Sequence, residues 1–350
     1  MKELLYKTYE DLFSDLEDKD AFIIKKKFGI ENETEETFAS IGRNLNLTRE
    51  RVRQLYNKII QKLKSKLTKT RDFNKVLIIV KENFGKLHIK REKYIIEKLS
   101  INYSLNEEEK KIAKLIISIL PEYYYHKETN LFYSFISHEK FFKKTLKILE
   151  KINIDLKRNK KIWNRDEFLK SFSSYIKESF NINPDIDDIF EFAKILKTLG
   201  KNPLDELGYI KHKRITPSSL EDKIYLVFKL ERRPLHFTEI YKKLKEISEI
   251  EDDLLHEKWK KNYTPQTILT VIKKDKKFVW YGRGTYALRE DGYKDGKIID
   301  LMKEIVKKNN GIKEEKLFEI IQKHKKVSPN TFKLYITKFF NKIRDSIYLK

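Results

Sequence analysis

Apolar residues recur at helical spacing along most of the chain, most clearly within residues 38–64. Two apolar stripes lie there, one made of Phe38, Ile41 and Leu45, the other of Val52, Leu55, Ile59 and Leu63. They predict two amphipathic helices. Between these, Asn46 tolerates the left-handed backbone of a tight turn, and Thr48 is a suitable N-cap for the second helix. The pattern is typical of a helix-turn-helix.

The polar side chains of the second predicted helix are of the types that read DNA. Arg can grip guanine with two hydrogen bonds, Gln can pair with adenine, and Glu can accept from cytosine. The candidate DNA-binding residues are Arg49, Glu50, Arg51, Arg53, Gln54, Lys58, Lys62 and Lys64. We therefore expect double-stranded DNA as the partner. The alternative is an ordinary amphipathic helix pair with solvated arginines.

Residues 22–30 and 40–54, FIIKKKFGI and SIGRNLNLTRERVRQ, resemble region 4 of the bacterial primary sigma factors, the part that reads the promoter's −35 element. The core of the resemblance, TRERVRQ, implies base or backbone contacts for Arg49, Glu50, Arg53 and Gln54. Asn46 stands where the family usually has Gly, and Leu55-Tyr56 replaces an Ile-Glu pair. We assign residues 1–70 to this domain. Too few residues precede it to hold promoter-melting regions, so we do not expect a complete sigma factor.

Residues 71–215 alternate apolar clusters at helical spacing with lysine-rich faces, which predicts a helical middle region. Its aromatic residues include Tyr123, Tyr124, Tyr125, Phe132, Tyr133, Phe135, Phe141, Phe142 and Trp163. We interpret them as core residues in preference to base-stacking platforms. The basic tract at residues 157–165 is expected either to touch phosphates or to form a solvated loop.

Three predicted helices followed by a β-hairpin occupy residues 216–293, the element order of a winged helix. Thr264 is the expected N-cap of the third helix, with Pro265 at its first position, and Gly282-Arg283-Gly284 joins two β-prone strands. The segments PLHFTEI, TPQT, FVWYGRGTYAL and DGY resemble the HARE-type helix-turn-helix domain, which implies nucleic-acid or transcription-related work. Its candidate DNA contacts are Gln266, Thr267, Thr270, Lys273, Lys274 and Arg283. Binding to protein is the alternative.

Residues 294–350 repeat part of this pattern, because YTPQT at 263–267 is echoed by VSPNT at 327–331. The copy ends at DSIYLK without a second wing strand, so we expect a truncated winged helix or one completed elsewhere. Its exposed candidates are Asn330, Lys333 and Lys338. An equal alternative is a capping three-helix unit that only packs on its neighbour.

The charge of the chain supports a nucleic-acid partner and also locates it. The 350 residues carry a net charge of +23, with a pI near 9.6. Residues 1–36 hold six basic and eleven acidic residues, whereas residues 37–71 hold ten basic and one acidic residue. Positive charge is thus concentrated on the predicted helix-turn-helix, where it would attract phosphates.

The remaining features narrow the class to a mainly α protein of tandem helix-turn-helix and winged-helix modules with short β-hairpin wings. Zero Cys excludes a disulfide framework, a thiolate zinc site and a cysteine nucleophile. The sequence lacks signal-peptide and membrane-span patterns, which favours a cytoplasmic protein. It also lacks nucleotide-loop, zinc-protease and serine-hydrolase motifs, so we expect no enzyme, no cofactor and no metal.

Two functions fit these features. The one we favour is a sequence-preferring DNA-binding transcription regulator that contacts RNA polymerase. The alternative is a DNA-recognition or scaffolding subunit of a defence or mobile-element complex, in which a partner processes the DNA.

Overall fold

Sixteen α-helices and twelve short strands make up the part of the chain that this computed structural model describes, residues 1–31 and 34–350. The predicted mainly α fold class is confirmed. The chain divides into two compact units, Met1–Leu199 and Gly200–Lys350.

The N-terminal helices build the predicted helix-turn-helix. They are α1 Lys2–Phe13, α2 Asp18–Phe28, α3 Phe38–Leu45 and α4 Arg49–Leu67. Asn46 takes the left-handed conformation at φ 53°, and the Thr48 hydroxyl accepts a hydrogen bond from the Arg51 backbone amide at 3.2 Å. Val52, Ile59 and Leu63 are fully buried, and Leu55 is half-buried. The predicted turn at Asn46, the N-cap at Thr48 and the buried apolar stripe of α4 are therefore confirmed.

Beyond α4, the described chain repeats one element order four times: helix, strand, helix, helix, strand, strand. The first module comprises α5 Phe73–Phe84, β1 Ile89–Arg91, α6 Glu92–Tyr103, α7 Glu107–Ser118, β2 Tyr123–His126 and β3 Phe135–His138. The second comprises α8 Phe142–Asn159, β4 Ile162–Trp163, α9 Arg165–Phe180, α10 Ile186–Ala193, β5 Leu199–Lys201 and β6 Leu207–Tyr209.

The third and fourth modules follow the same order. The third comprises α11 Leu220–Glu231, β7 Leu235–His236, α12 Phe237–Ser248, α13 Pro265–Lys274, β8 Phe278–Gly282 and β9 Thr285–Leu288. The fourth comprises α14 Ile298–Asn309, β10 Ile312–Lys313, α15 Glu314–His324, α16 Pro329–Phe339, β11 Phe340–Ile343 and β12 Ser346–Leu349. Short 3-10 helices span Glu139–Phe141, Glu257–Lys260 and Arg289–Asp291.

The strands of the first, third and fourth modules form small antiparallel sheets with a common topology. The orders are β1-β3-β2, β7-β9-β8 and β10-β12-β11, so the last strand always lies in the middle. In the third module, Leu235 pairs with Tyr286 and Phe278 pairs with Leu288. Each hairpin is thus a wing that one short strand ties to the helices.

The predicted helical middle region also contains strands, which the sequence pattern did not reveal. The strands β1 to β4 have two to four residues each, too few for apolar alternation to stand out. In β2, the run Tyr123–His126 buries its two ends and exposes Tyr124 and Tyr125. The core role expected for the aromatics holds for Tyr123, Phe132, Phe135, Phe141 and Trp163, all of which are buried.

The expectation that the last module lacks a second wing strand is wrong. Strands β11 and β12 pair from Phe340↔Leu349 to Ile343↔Ser346, which completes a hairpin with a two-residue turn. Arg344 occupies that turn at φ 53°, a conformation that usually selects Gly or Asn. Because no glycine stands in this turn, the sequence pattern did not reveal the hairpin.

The N-terminal helix-turn-helix and the first module share one hydrophobic core. Buried residues from α1, α3, α4, α5 and α7 all contribute, including Leu12, Ile41, Ile59, Val76 and Ile112. In the second unit, the third and fourth modules each have a core of their own. The α4 helix is consequently fixed to a scaffold much larger than a four-helix domain.

Candidate nucleic-acid interface

The exposed face of α4 carries most of the predicted DNA-binding residues. Arg49, Glu50, Arg51, Arg53, Gln54, Lys58 and Lys62 are all exposed to solvent. The buried stripe on the opposite side packs against α2 and α3. A helix held by one face and basic on the other can enter a DNA groove.

Two of the predicted base-reading side chains are paired with each other in the free protein. The Arg53 guanidinium donates to both carboxylate oxygens of Glu50, at 2.6 and 2.9 Å. These hydrogen bonds lower the pKa of the Glu50 carboxyl and raise the pKa of Arg53. Because both groups are exposed, the pair is weak, and base edges can replace it.

The second half of α4 lies against the rest of its unit. The Lys62 ammonium donates to the backbone oxygen of Asp15 at 3.4 Å, and Lys66 forms an ion pair with the Asp15 carboxylate at 2.8 Å. Lys64 is half-buried, with its ammonium 5.9 Å from the centroid of the Tyr124 ring, and burial lowers its pKa. Lys62 remains exposed beside these contacts, whereas Lys64 and Lys66 are half-buried.

Gly42 is a residue of this site that the sequence patterns did not single out. A Cβ atom at this position would lie 2.5 Å from the backbone oxygen of Leu47. That oxygen belongs to the turn between α3 and α4, so any larger residue would push the two helices apart. Gly42 is a structural requirement of the helix-turn-helix.

The third module presents its predicted residues on α13. Gln266, Thr267, Thr270, Lys273 and Lys274 are exposed, and Ile268 and Ile272 are buried. The predicted N-cap is confirmed, because the Thr264 hydroxyl accepts from the Thr267 amide at 3.2 Å. Arg283 is exposed in the turn between β8 and β9.

The wing of the third module also forms hydrogen bonds with the fourth module. The Tyr281 hydroxyl donates to the backbone oxygen of Gln322 at 3.0 Å, and the Lys326 amide donates to the backbone oxygen of Tyr281 at 2.7 Å. The buried Lys325 ammonium donates to the backbone oxygen of Trp280. These contacts join the two modules of the second unit.

In the fourth module, α16 exposes Asn330, Lys333 and Lys338, as the sequence predicts. Ser328 caps the helix by accepting from the Thr331 amide at 3.1 Å. Leu334, which is 62% exposed, lies on the same helix. The face of α16 is therefore more apolar than that of α13.

The corresponding helices of the first two modules have a different environment. In α7, every residue except Glu107 is buried or half-buried, and the helix packs against α1, α2 and α6. The α10 helix packs against β1, and its Glu191 forms an ion pair with the buried Lys90 at 2.6 Å. Both helices therefore pack against other elements of the first unit.

The described residues contain neither a candidate metal site nor a candidate membrane span. No group of three or more His, Asp or Glu side chains is arranged to hold a metal ion. Within the same residues, each helix is too short or too polar to cross a membrane.

Together, these features place the chain in a structural class of tandem helix-turn-helix and winged-helix proteins. Residues 12–65 match the family model of sigma-70 region 4. The N-terminal helix-turn-helix is therefore a sigma-70 region 4 domain. No solved structure matches the chain.

Several curated sigma factors are similar to this segment. The RNA polymerase sigma factor RpoD of Helicobacter pylori (strain ATCC 700392 / 26695) is 38% identical over 66 residues, which are 19% of this chain and 10% of that protein. The RNA polymerase principal sigma factor HrdD of Streptomyces griseus is 42% identical over 55 residues, 16% of this chain and 17% of that protein. The RNA polymerase sigma-C factor of Nostoc sp. (strain PCC 7120) is 39% identical over 64 residues, 18% and 15% of the two chains. The chain thus spans less than a fifth of the length of these relatives.

Proposed function

We propose that this protein is a sequence-preferring double-stranded DNA-binding transcription regulator without enzymatic activity. The observation that carries the proposal is the exposed face of α4, where Arg49, Arg53 and Gln54 project from a region 4 domain. Arg53 and Gln54 supply base contacts, and Lys58 and Lys62 supply phosphate contacts.

The third and fourth modules extend this activity. The exposed set on α13 (Gln266, Thr267, Thr270, Lys273, Lys274), together with Arg283 of its wing, forms a second DNA-contacting surface in a HARE-type domain. Asn330 and Lys333 of α16 form a third. A chain with several such surfaces can cover a long site without dimerising.

RNA polymerase is the protein partner that the region 4 domain suggests. The relatives that match this domain carry the name RNA polymerase sigma factor. We infer that this protein docks on the polymerase while α4 contacts promoter-like DNA.

The DNA-binding part is tested by selecting duplexes from a random pool with the full chain. We expect an enriched sequence whose preference over unrelated DNA falls by roughly tenfold or more in Arg53→Ala, because one bidentate base contact is lost. Lys62→Ala is the matched control, and it should weaken all duplexes alike. Unchanged preference in Arg53→Ala contradicts the assignment of α4.

The polymerase contact is tested by purifying the tagged protein from nuclease-treated lysate. Core polymerase should remain bound, because the contact does not depend on DNA. If polymerase is lost after nuclease treatment, the protein belongs instead to a complex that recognises DNA for another purpose, such as defence or mobile-element transfer.

A further inference from the structure

A cleft of about 360 Å³ lies beside the N-terminus of α4, between the region 4 domain and the first winged-helix module. The region 4 domain contributes Lys27, Phe38 and Arg49 to its lining, and the first module contributes Lys114, Tyr125 and Lys127. All of these residues belong to the first compact unit. The cleft therefore lies within a single compact unit.

The cations of the cleft outnumber its available carboxylates. Both lining carboxylates, Glu35 and Glu92, are bound by Lys114, at 2.7 and 3.3 Å. Glu92 also accepts a hydrogen bond from the Tyr125 hydroxyl at 2.8 Å. Among the described residues, no carboxylate lies within ion-pair distance of Lys27, Lys127 or Arg49. With four cations and two carboxylates, the lining has a net charge of +2.

Two of these cations lie near the same aromatic ring. The ammonium groups of Lys27 and Lys127 lie 5.4 and 5.9 Å from the centroid of the Phe38 ring. Burial lowers the pKa of Lys27, and the charges of Lys114 and Lys127 lower it further against the opposing pull of Glu35. A bound anion would relieve this repulsion.

The position of the cleft indicates which anion it takes. Arg49 both lines the cleft and begins α4, the helix whose N-terminal part enters the groove. Backbone phosphates of the duplex necessarily flank a helix in the groove, and they bind Lys and Arg. We propose that the cleft holds a backbone phosphate of the duplex that α4 reads, with Lys127 of the first module as a direct phosphate contact. The inference rests on the proposed function of α4.

Lys127 is well suited to a test because it is exposed and lies outside the hydrophobic core. Lys127→Ala and the control Lys144→Ala each remove one exposed lysine of the first unit, and Lys144 lies on α8 outside the cleft. Fluorescence anisotropy of the full chain, over a salt series, gives the affinity for the selected duplex and for an unrelated one.

We expect Lys127→Ala to bind both duplexes roughly tenfold more weakly near 0.1 M salt. The slope of log affinity against log salt should fall by about one, since one phosphate contact is lost. Lys144→Ala should behave like the wild type. If the two variants are indistinguishable, or if Lys127→Ala weakens only the selected duplex, the phosphate contact is wrong.

A further measurement separates a DNA phosphate from a free nucleotide. Titration calorimetry with ATP should give the same weak signal for wild type and Lys127→Ala. If ATP binding depends on Lys127 while the salt slope does not, the cleft is a nucleotide site and our proposal fails. If the wild type binds no duplex, the proposed function of α4 fails as well; if duplex binding and the Arg53→Ala effect persist without a Lys127 effect, only the phosphate contact is rejected.

Discussion

The helices α7 and α13 occupy the same place in two copies of one element order, yet they have opposite surroundings. The α7 helix is covered by α1, α2 and α6, whereas α13 exposes five of its ten residues. Their charges differ as well. The three Glu residues that begin α7 are balanced by three Lys, whereas α13 contains no acidic residue and ends in Lys273 and Lys274.

The difference shows that one architecture serves two purposes in this chain. In the first unit, the third helix of a winged-helix module completes the core on which the region 4 domain rests. In the second unit, the corresponding helix of the third module, α13, is exposed to solvent on one face. The α10 helix has three acidic residues and no basic one, so its charge would repel DNA phosphates.

The largest expected effect on the free energy of unfolding comes from truncating a core side chain of α7. Ile112 is 1% exposed, so Ile112→Ala should lower the free energy of unfolding by about 2–5 kcal/mol. Thr270→Ala, at an exposed position of α13, should change it by less than about 0.5 kcal/mol. Urea unfolding with hydrogen exchange of the α7 amides measures both. Similar losses of unfolding free energy for the two variants would contradict the distinction between a buried α7 and an exposed α13.

Sequence patterns predicted the exposed helices well and the covered ones only in part. Regular apolar spacing and Thr caps identified α4 and α13, because each buries one face and leaves the other polar. The strands of the first two modules escaped notice because they are very short. Nothing local in the sequence indicates that α7 is covered, since its partners α1 and α2 lie about a hundred residues away in the chain.

The second comparison concerns two buried lysines, one from each unit. Lys90 of the first unit pairs with Glu191. Among the described residues, the acceptors of Lys223 in the second unit are both neutral, the Tyr263 hydroxyl at 2.9 Å and the backbone oxygen of Lys258. Burial, reinforced by the Lys261 and Lys258 charges, lowers the pKa of Lys223 to about 8. The unfolded chain keeps that proton up to the usual lysine pKa near 10.5.

Between pH 8 and 10, therefore, the unfolded state binds more protons at this position, and the contribution of Lys223 to the stability of the folded state should rise with pH by roughly 3 kcal/mol or less. Thermal melts of the full chain followed by tryptophan fluorescence test this, since the ring of Trp259 lies 5.7 Å from the Lys223 ammonium. Lys223→Met should lack this contribution, so the stability difference between wild type and variant should change over this pH range. Parallel pH profiles for variant and wild type would show that Lys223 stays protonated in the fold.

A smaller effect is expected from the helix caps. The Asn106 side chain accepts from the Glu109 amide while Glu109 accepts from the Asn106 amide, both at 2.8 Å, so α7 begins with a full capping box. Asn106→Ala should cost about 1 kcal/mol of unfolding free energy. Thr264→Ala, which removes the single cap of α13, should cost less. The reverse order in urea unfolding would mean that the cap of the exposed helix matters more for stability than that of the covered one.

The smallest effect on stability, and the sharpest test of the comparison, is expected on the exposed face of α13. Lys274→Ala removes an exposed charge without a carboxylate partner among the described residues, so the free energy of unfolding should stay within about 0.5 kcal/mol of the wild type. If α13 contacts DNA, however, affinity for every duplex should fall and the salt slope should decrease by about one. Lys110→Ala on α7 is the matched control, because its ammonium is already paired with Glu107 at 2.6 Å. Equal salt slopes for the two variants would mean that α13 is exposed to meet a protein, and that α4 alone carries the DNA contact of the recognition helices.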